Sequence, residues 1–332
     1  MNAHRPWARP LVPIYAAALR LKDLLRREPK TLAWPVISVG SVSAGGAGKT
    51  PVVIALAKML QQRGHHVDVL SRGYGRIGTT VEQVKPSQAD AAARFGDEPV
   101  LIEQAANVPV FVGADRYAAG ELAERLLPAG DAGTHILDDG FQHRQLVRAI
   151  DLALLTAEDI VDTLLPAGTL REPLAALARA DILVIREDER AVIEPHVARL
   201  KRADALVWSV HRTLRFPAPL GVLSAGLRPL AFCAIARPQG FAAALNEAGC
   251  GILDTVTFDD HAHYRDAEVE QILTIAKQLN ASGFITTEKD AVKLTPALRA
   301  KLEDHGPLVV VALVAEFLYP ERTARELEAR LA

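Results

Sequence analysis

The chain has 332 residues, enough for two hydrophobic cores or for one large α/β core. With 49% hydrophobic and 23% charged residues its composition is that of a soluble globular enzyme, and no apolar run reaches the length of a membrane-crossing helix. A formal charge of −2 argues against a general nucleic-acid binder, and two cysteines, Cys233 and Cys250, argue against a disulfide framework or a cysteine metal cluster.

The charge is unevenly placed. Residues 1–30 carry Arg5, Arg9, Arg20, Lys22, Arg26, Arg27 and Lys30 against Asp23 and Glu28, a net +5. Apolar residues from Leu11 to Leu25 recur between these cations at roughly helical spacing, which predicts a basic amphipathic helix able to lie in the headgroups of an anionic membrane. Two rival readings exist. A signal peptide is opposed by Pro13 inside the apolar run and by the phosphate loop that follows; a helix packed on the domain surface is the other. Membrane-surface contact is the expectation.

Short apolar runs then alternate with helical patterns. Strands are expected at Val36–Val39, Val67–Leu70, Val108–Val112, His135–Leu137, Leu152–Leu155, Ile182–Ile185 and Ala205–Val210, with helices at Thr50–Arg63, Pro99–Ala105 and Arg116–Leu126. This repetition predicts a mostly parallel sheet with helices on both faces and active-site loops at the carboxyl ends of the strands. A polar, proline-containing stretch at Arg212–Leu220 suggests a boundary near residue 215. A second α/β series follows, with strands at Leu230–Ile235, Ile252–Thr257, Gly283–Thr286 and Leu308–Leu313 and helices at Phe241–Ala248, Asp266–Leu279 and Pro320–Leu331. The expected organisation is therefore an N-terminal helix (1–30), a P-loop NTPase-like domain (31–214) and a smaller C-terminal α/β domain (215–332) that completes the cleft.

The strongest local signal is the loop Ser43, Ala44, Gly45, Gly46, Ala47, Gly48, Lys49, Thr50. Glycines let successive N–H groups turn toward phosphate oxygens, and the helix that follows adds its positive end. Lys49 is placed to reach the β and γ phosphates of a nucleotide and Thr50 to ligate Mg²⁺. The general pattern asks for glycine where this chain has Ser43, but a strand enters the loop and a helix leaves it. A Mg²⁺ site also needs a carboxylate at a neighbouring strand end, and His135-Ile136-Leu137-Asp138-Asp139-Gly140 offers two.

Three further clusters sit near strand or helix ends: Ser71–Arg76, with two cations and an aromatic; Gly96-Asp97-Glu98-Pro99, with paired acids; and Leu165–Pro173, with Arg171 as its one basic group. Together with Gly-Gly-Ala-Gly-Lys-Thr-Pro, Asp138–His143, Asp260-His261 and Thr287-Glu288-Lys289-Asp290, they make the chain resemble the tetraacyldisaccharide 4′-kinases of Gram-negative lipid A synthesis along nearly its whole length.

That resemblance implies transfer of the ATP γ-phosphate to the 4′-hydroxyl of an acylated glucosamine disaccharide 1-phosphate, at the cytoplasmic face of the inner membrane. It implies Asp97 as catalytic base tuned by His261, with His263 close enough in sequence to confuse the choice. Thr50 and Asp139 become metal candidates, Asp138 and Glu98 supporting acids, and Arg171 a group for substrate phosphate or transition-state charge. Arg72, Tyr74, Gln142 and Arg171 are the candidate substrate contacts. Neither nucleic acid nor an obligate protein partner is expected. A regulatory GTPase is the rival class, but Gly283–Asp290 offers the aspartate of a guanine-selecting Asn-Lys-x-Asp segment without its asparagine and lysine. A membrane scaffold with a degenerate nucleotide loop is opposed by the intact Lys49 and Thr50.

Overall fold

The computed structural model describes residues 5–25, 28–88, 90–126, 133–217 and 227–331. Its strands are β1 (Val36–Ser41), β2 (His66–Ser71), β3 (Glu82–Gln83), β4 (Val110–Val112), β5 (Gly133–Asp138), β6 (Ile150–Leu155), β7 (Ile182–Arg186), β8 (Leu206–Arg215), β9 (Pro229–Cys233), β10 (Thr255–Thr257), β11 (Gly283–Thr287) and β12 (Leu308–Phe317). They form a single sheet in the order β10-β9-β11-β12-β8-β7-β6-β1-β5-β2-β4-β3. β1, β5 and β6 are buried along their whole lengths, as expected of parallel strands covered on both faces. Among the named strands of the described residues, β3 with β4 and β8 with β12 are the antiparallel pairs.

The first helix, α1 (Val12–Leu24), follows a 3₁₀ turn at Pro6–Leu11. Next come α2 (Lys49–Gln62), α3 (Ala91–Phe95), α4 (Asp97–Ala106) and α5 (Arg116–Leu126). Helix α2 buries Val52, Val53, Leu56, Ala57 and Leu60 against the sheet. These residues join Ile37, Val39, Ile136 and Leu152 in the largest core cluster. A separate cluster forms around Phe232, Phe284 and Tyr264, where edge-on aromatic rings pack beneath the helix Asp266–Leu279.

Strand β12 belongs to both groups. Val309–Val311 run parallel to β11, and Ala312–Phe317 pair antiparallel with Val210–Arg215 of β8. This corrects the break expected from Arg212: the strand continues to Arg215, its exposed His211, Thr213 and Arg215 alternating with the half-buried Arg212 and Leu214. Pro219 and Leu220 lie outside the described residues. Helix α4 likewise begins two residues earlier than expected. Pro99 is tolerated in its first turn, where its missing N–H needs no partner.

No residue of α1 is buried, and Trp7, Ile14, Leu21, Leu24 and Leu25 are all exposed. The helix is held along one edge: the Tyr15 hydroxyl donates to the Arg171 carbonyl at 3.0 Å, and Asp23 pairs with Arg144 at 2.8 Å. Arg26 and Arg27 lie outside the described residues. Among the described residues no helix is long and apolar enough to cross a membrane.

Candidate active site

Parallel packing of β1 between β5 and β6 brings the loops after β1, β2 and β5 to one edge of the sheet. After Ser41 the chain turns through Gly45, Gly46 and Gly48, all at positive φ (76°, 68° and 87°), and Gly48 caps α2 in the left-handed conformation that glycine adopts without strain. Ser43 sits before this turn, bridged to Leu170. The Ala44 N–H donates to the Thr169 carbonyl at 2.9 Å, and the Arg171 N–H to the Val42 carbonyl at 2.7 Å. Because the loop's first residues run extended against the Leu165–Pro173 segment, Ser43 has no need of a glycine's freedom. Gln142 braces the same turn, its Nε2 donating to the Ser41 carbonyl at 2.8 Å.

Lys49 opens α2 and places its ammonium 3.3 Å from Asp139 Oδ1, while Arg171 Nη1 donates to Asp139 Oδ2 at 2.7 Å. Burial opposes charge on Asp139, but Lys49 and Arg171 outweigh it and hold the carboxyl below its usual range. Asp139 itself sits at φ 49°, the strained turn that aims its side chain back at the loop. The neighbouring Asp138 accepts a hydrogen bond from the Ser71 hydroxyl at 2.9 Å. Burial, then the negative charges of Glu98 and Asp139, push Asp138 up to about 7. Among the described residues no cation pairs with it directly.

On the far side of these acids lies a group assembled from both halves of the chain. Asp97 is 6% exposed at the start of α4, and its two carboxylate oxygens stand 3.1 and 3.0 Å from His261 Nδ1. Asp97 Oδ1 also accepts the Glu98 N–H at 2.9 Å. The fit depends on Gly96 at φ 97°: a Cβ there would come within 3.1 Å of the Tyr74 carbonyl and 3.2 Å of Gly73 Cα. This close approach carries Tyr74 to His261, with ring centroids 5.1 Å apart. His261, not the exposed His263, is the histidine that meets Asp97.

Lys289, in the short helix Glu288–Ala291 that follows β11, completes the group. Its ammonium lies 3.2 Å from Glu98, 3.2 Å from Asp260, 3.3 Å from His261 Nε2 and 4.0 Å from Asp97. Burial works to neutralise Asp97, but the His261 hydrogen bond and the Lys289 charge prevail and keep the carboxyl below its usual range. Burial likewise works against an imidazolium, and the Asp97 hydrogen bond and charge overcome it to raise His261. With Nδ1 against a carboxylate, His261 carries a proton on that nitrogen.

Two residues here were not legible in the sequence as site residues. Lys289 stands in a noted motif, but nothing local shows that it reaches Glu98, 191 residues away. Arg116, at the start of α5, is 7% exposed, and the charges of Asp138 and Asp139 act on it together with that of the exposed Arg72. Its Nη1 donates to the Ala114 carbonyl at 2.9 Å, while its buried Nε has no partner among the described residues.

The donor set can be tested for a divalent cation. Among the described residues no three His, Cys, Asp or Glu side chains converge into a protein cage. Asp138, buried and without a cationic partner among the described residues while the Glu98 and Asp139 charges press on it, suits instead a cation that keeps most of its waters, as Mg²⁺ does.

A family model described as tetraacyldisaccharide-1-P 4′-kinase matches residues 5–332. A tetraacyldisaccharide 4′-kinase from Koribacter versatilis is 41% identical over 281 residues, covering 82% of each chain. One from Geobacter metallireducens is 39% identical, covering 86% of this chain and 87% of its own. The crystal structure of LpxK from Aquifex aeolicus in complex with ATP shares the fold with a TM-score of 0.75 at 28% identity, covering 98% of each chain. The family match takes in nearly the whole chain, and the chain belongs to the tetraacyldisaccharide-1-P 4′-kinase family.

Proposed function

We propose that Asp97 is the base of the reaction this family catalyses, taking the proton from the 4′-hydroxyl as the phosphoryl group arrives. The reaction is ATP-dependent 4′-phosphorylation of a tetraacylated disaccharide 1-phosphate in lipid A biosynthesis. The observation that carries the assignment of the base is the Asp97–His261 contact, a buried carboxylate kept ionised next to Glu98, whose charge acts on Asp138. His261 orients that carboxylate and spreads the charge that changes when it is protonated.

Phosphoryl transfer needs in-line positioning and neutralised charge more than covalent help. Lys49 leaves Asp139 for the β and γ phosphates, and Arg171, anchored between the loop and α1, faces the group in transfer. Thr50 and Asp139, with Asp138 and Glu98 as supporting acids, would hold Mg²⁺, which when bound would neutralise phosphate charge. Arg72, Tyr74 and Gln142 line the acceptor's side of the cleft. The exposed apolar face of α1, tied to Arg171 through Tyr15, supports a place on an anionic membrane at the cytoplasmic face of the inner membrane of a Gram-negative cell. The core around Phe232, Phe284 and Tyr264 supports a smaller C-terminal α/β part, while Ala315, Phe317 and Leu327 from beyond residue 215 join the core of the phosphate-loop part, so the two parts share packing along their border.

Purified protein with γ-labelled ATP and a tetraacylated disaccharide 1-phosphate should give label in a lipid product. Asp97→Ala should lose about a hundredfold or more in kcat with the KM for ATP changed at most a few-fold. Wild-type turnover in a folded Asp97→Ala protein removes the base assignment.

A further inference from the structure

Acids flank the phosphate loop on one side, and on the other side lie arginines. β5, which ends in Asp138, adjoins β1 on one edge, while β6, β7 and β8 follow from the opposite edge. Arg186 ends β7 and pairs with Asp188 and Glu189. Arg237, between β9 and the helix Pro238–Glu247, pairs with Glu158 at 2.7 Å. Arg212, on β8, has no carboxylate within ion-pairing distance among the described residues, although its guanidinium is well sheltered and flanks Gly48. A Cβ built on Gly48 would stand 3.1 Å from Arg212 Nη1, and one on Gly46 would stand 2.5 Å from Arg237 Nε.

Burial, reinforced by the charges of Arg186 and Arg237, lowers Arg212 to about 10. A sheltered guanidinium that has no ion-pair partner of its own among the described residues and stands beside two like charges is costly, and such an arrangement is relieved when an anion binds. The backbone amides at the start of α2 point to the same anion. Glu158 is 71% exposed, so its pair with Arg237 is weak and readily exchanged.

We propose that Arg212 and Arg237 hold the phosphates of the nucleotide on the flank of the loop opposite Asp138 and Asp139, Arg212 as a fixed charge and Arg237 by exchanging Glu158 for a phosphate oxygen. This rests on the reading of Ser43–Thr50 as the ATP site. Guanidinium forks match phosphate oxygens in pairs, and both forks adjoin the glycines just before Lys49. Because Arg237 follows β9 and Arg212 lies on β8, nucleotide binding would also draw the C-terminal strands toward the loop.

The test is calorimetric titration of the full chain with ATP, ADP and AMP, for wild type, Arg212→Met, Arg212→Lys, Arg237→Met and Lys49→Ala, with Tm measured on each. Arg212→Met should weaken ATP and ADP by roughly 10- to 100-fold, the factor carried by a charged hydrogen bond, and AMP much less. Arg212→Lys should fall between wild type and Arg212→Met, and Arg237→Met should weaken ATP by about 3- to 10-fold, a smaller share of the same factor. If Arg212→Met does not fold, Arg237→Met and Arg212→Lys carry the test. ATP affinity within twofold of wild type in the folded arginine variants, with Lys49→Ala still weakened, overturns the proposal and leaves the loop assignment standing. Normal ATP binding by Lys49→Ala overturns the loop assignment itself. Equal weakening of ATP and AMP moves the arginines to the nucleoside and overturns their assignment to the phosphates.

Discussion

Lys49 stands where the phosphate loop becomes α2, and its ammonium rests 3.3 Å from Asp139. A γ-phosphate offers it more charge than a carboxylate already shared with Arg171, and that advantage grows as charge shifts during transfer. Lys49→Ala should therefore lose about a thousandfold or more in kcat/KM, with Tm little changed because the side chain anchors no core. Steady-state kinetics beside thermal unfolding checks it; near-normal turnover in a folded variant removes Lys49 from the reaction. Lys49, Thr50, Asp138 and Asp139 were legible because each belongs to a contiguous strand-to-loop pattern whose purpose is local. Asp97 and His261 were joined only by family resemblance, since no spacing rule links positions 164 residues apart. Lys289 and Arg116 were missed for the same reason: their chemistry lies in tertiary neighbours, and an isolated lysine or arginine reads as a solvated surface charge.

At the scale of elements, the strands were legible because buried parallel strands are nearly continuous apolar runs. β8 was cut short because its outer half exposes His211, Thr213 and Arg215. α1 shows the opposite case, a helix legible from its pattern that leaves Ile14, Leu21 and Leu24 exposed. Leu24 and Leu25 are 82% and 73% exposed, so Leu24→Glu with Leu25→Glu should weaken binding to anionic vesicles several-fold, by removing apolar insertion and adding repulsion, while Tm stays put. Equal vesicle binding by variant and wild type excludes a membrane role for this end of the helix. A second element-scale prediction concerns the entrance to β5, remote from the cleft. His135 is fully buried, with Nδ1 2.9 Å from Asp68 and Nε2 3.3 Å from Glu124, beneath the ring of Trp34. Burial opposes its charge, but Asp68 and Glu124 raise its pKa above the ordinary value. The imidazolium therefore stabilises the fold in full below about pH 6.5, and that contribution fades as pH rises through the higher folded value. His135→Gln should lower Tm most at acid pH and least at alkaline pH. A Tm deficit independent of pH would show that packing, not charge, is what His135 supplies.

At the scale of the whole molecule, β12 joins the two halves by pairing parallel with β11 and antiparallel with β8, so the loop carrying His261 is held opposite α4 by a continuous sheet. Asp97 from one half and His261 from the other then meet at 3.0 Å, with Lys289 spanning the same gap to Glu98. If the pair serves one purpose, removing either member removes that purpose. Asp97→Ala and His261→Ala should each lower kcat far more than ATP affinity, and the double variant should be little slower than the slower single, because groups sharing one role are strongly non-additive. The expected coupling is comparable to the whole effect of His261→Ala. Losses that multiply in the double variant would show that His261 acts elsewhere, on the acceptor or on closure of the halves, and would leave Asp97 as an unassisted base. Measuring all four proteins at saturating lipid and again at saturating ATP separates these cases, since a contribution to acceptor binding appears in the lipid KM and one to proton transfer in kcat.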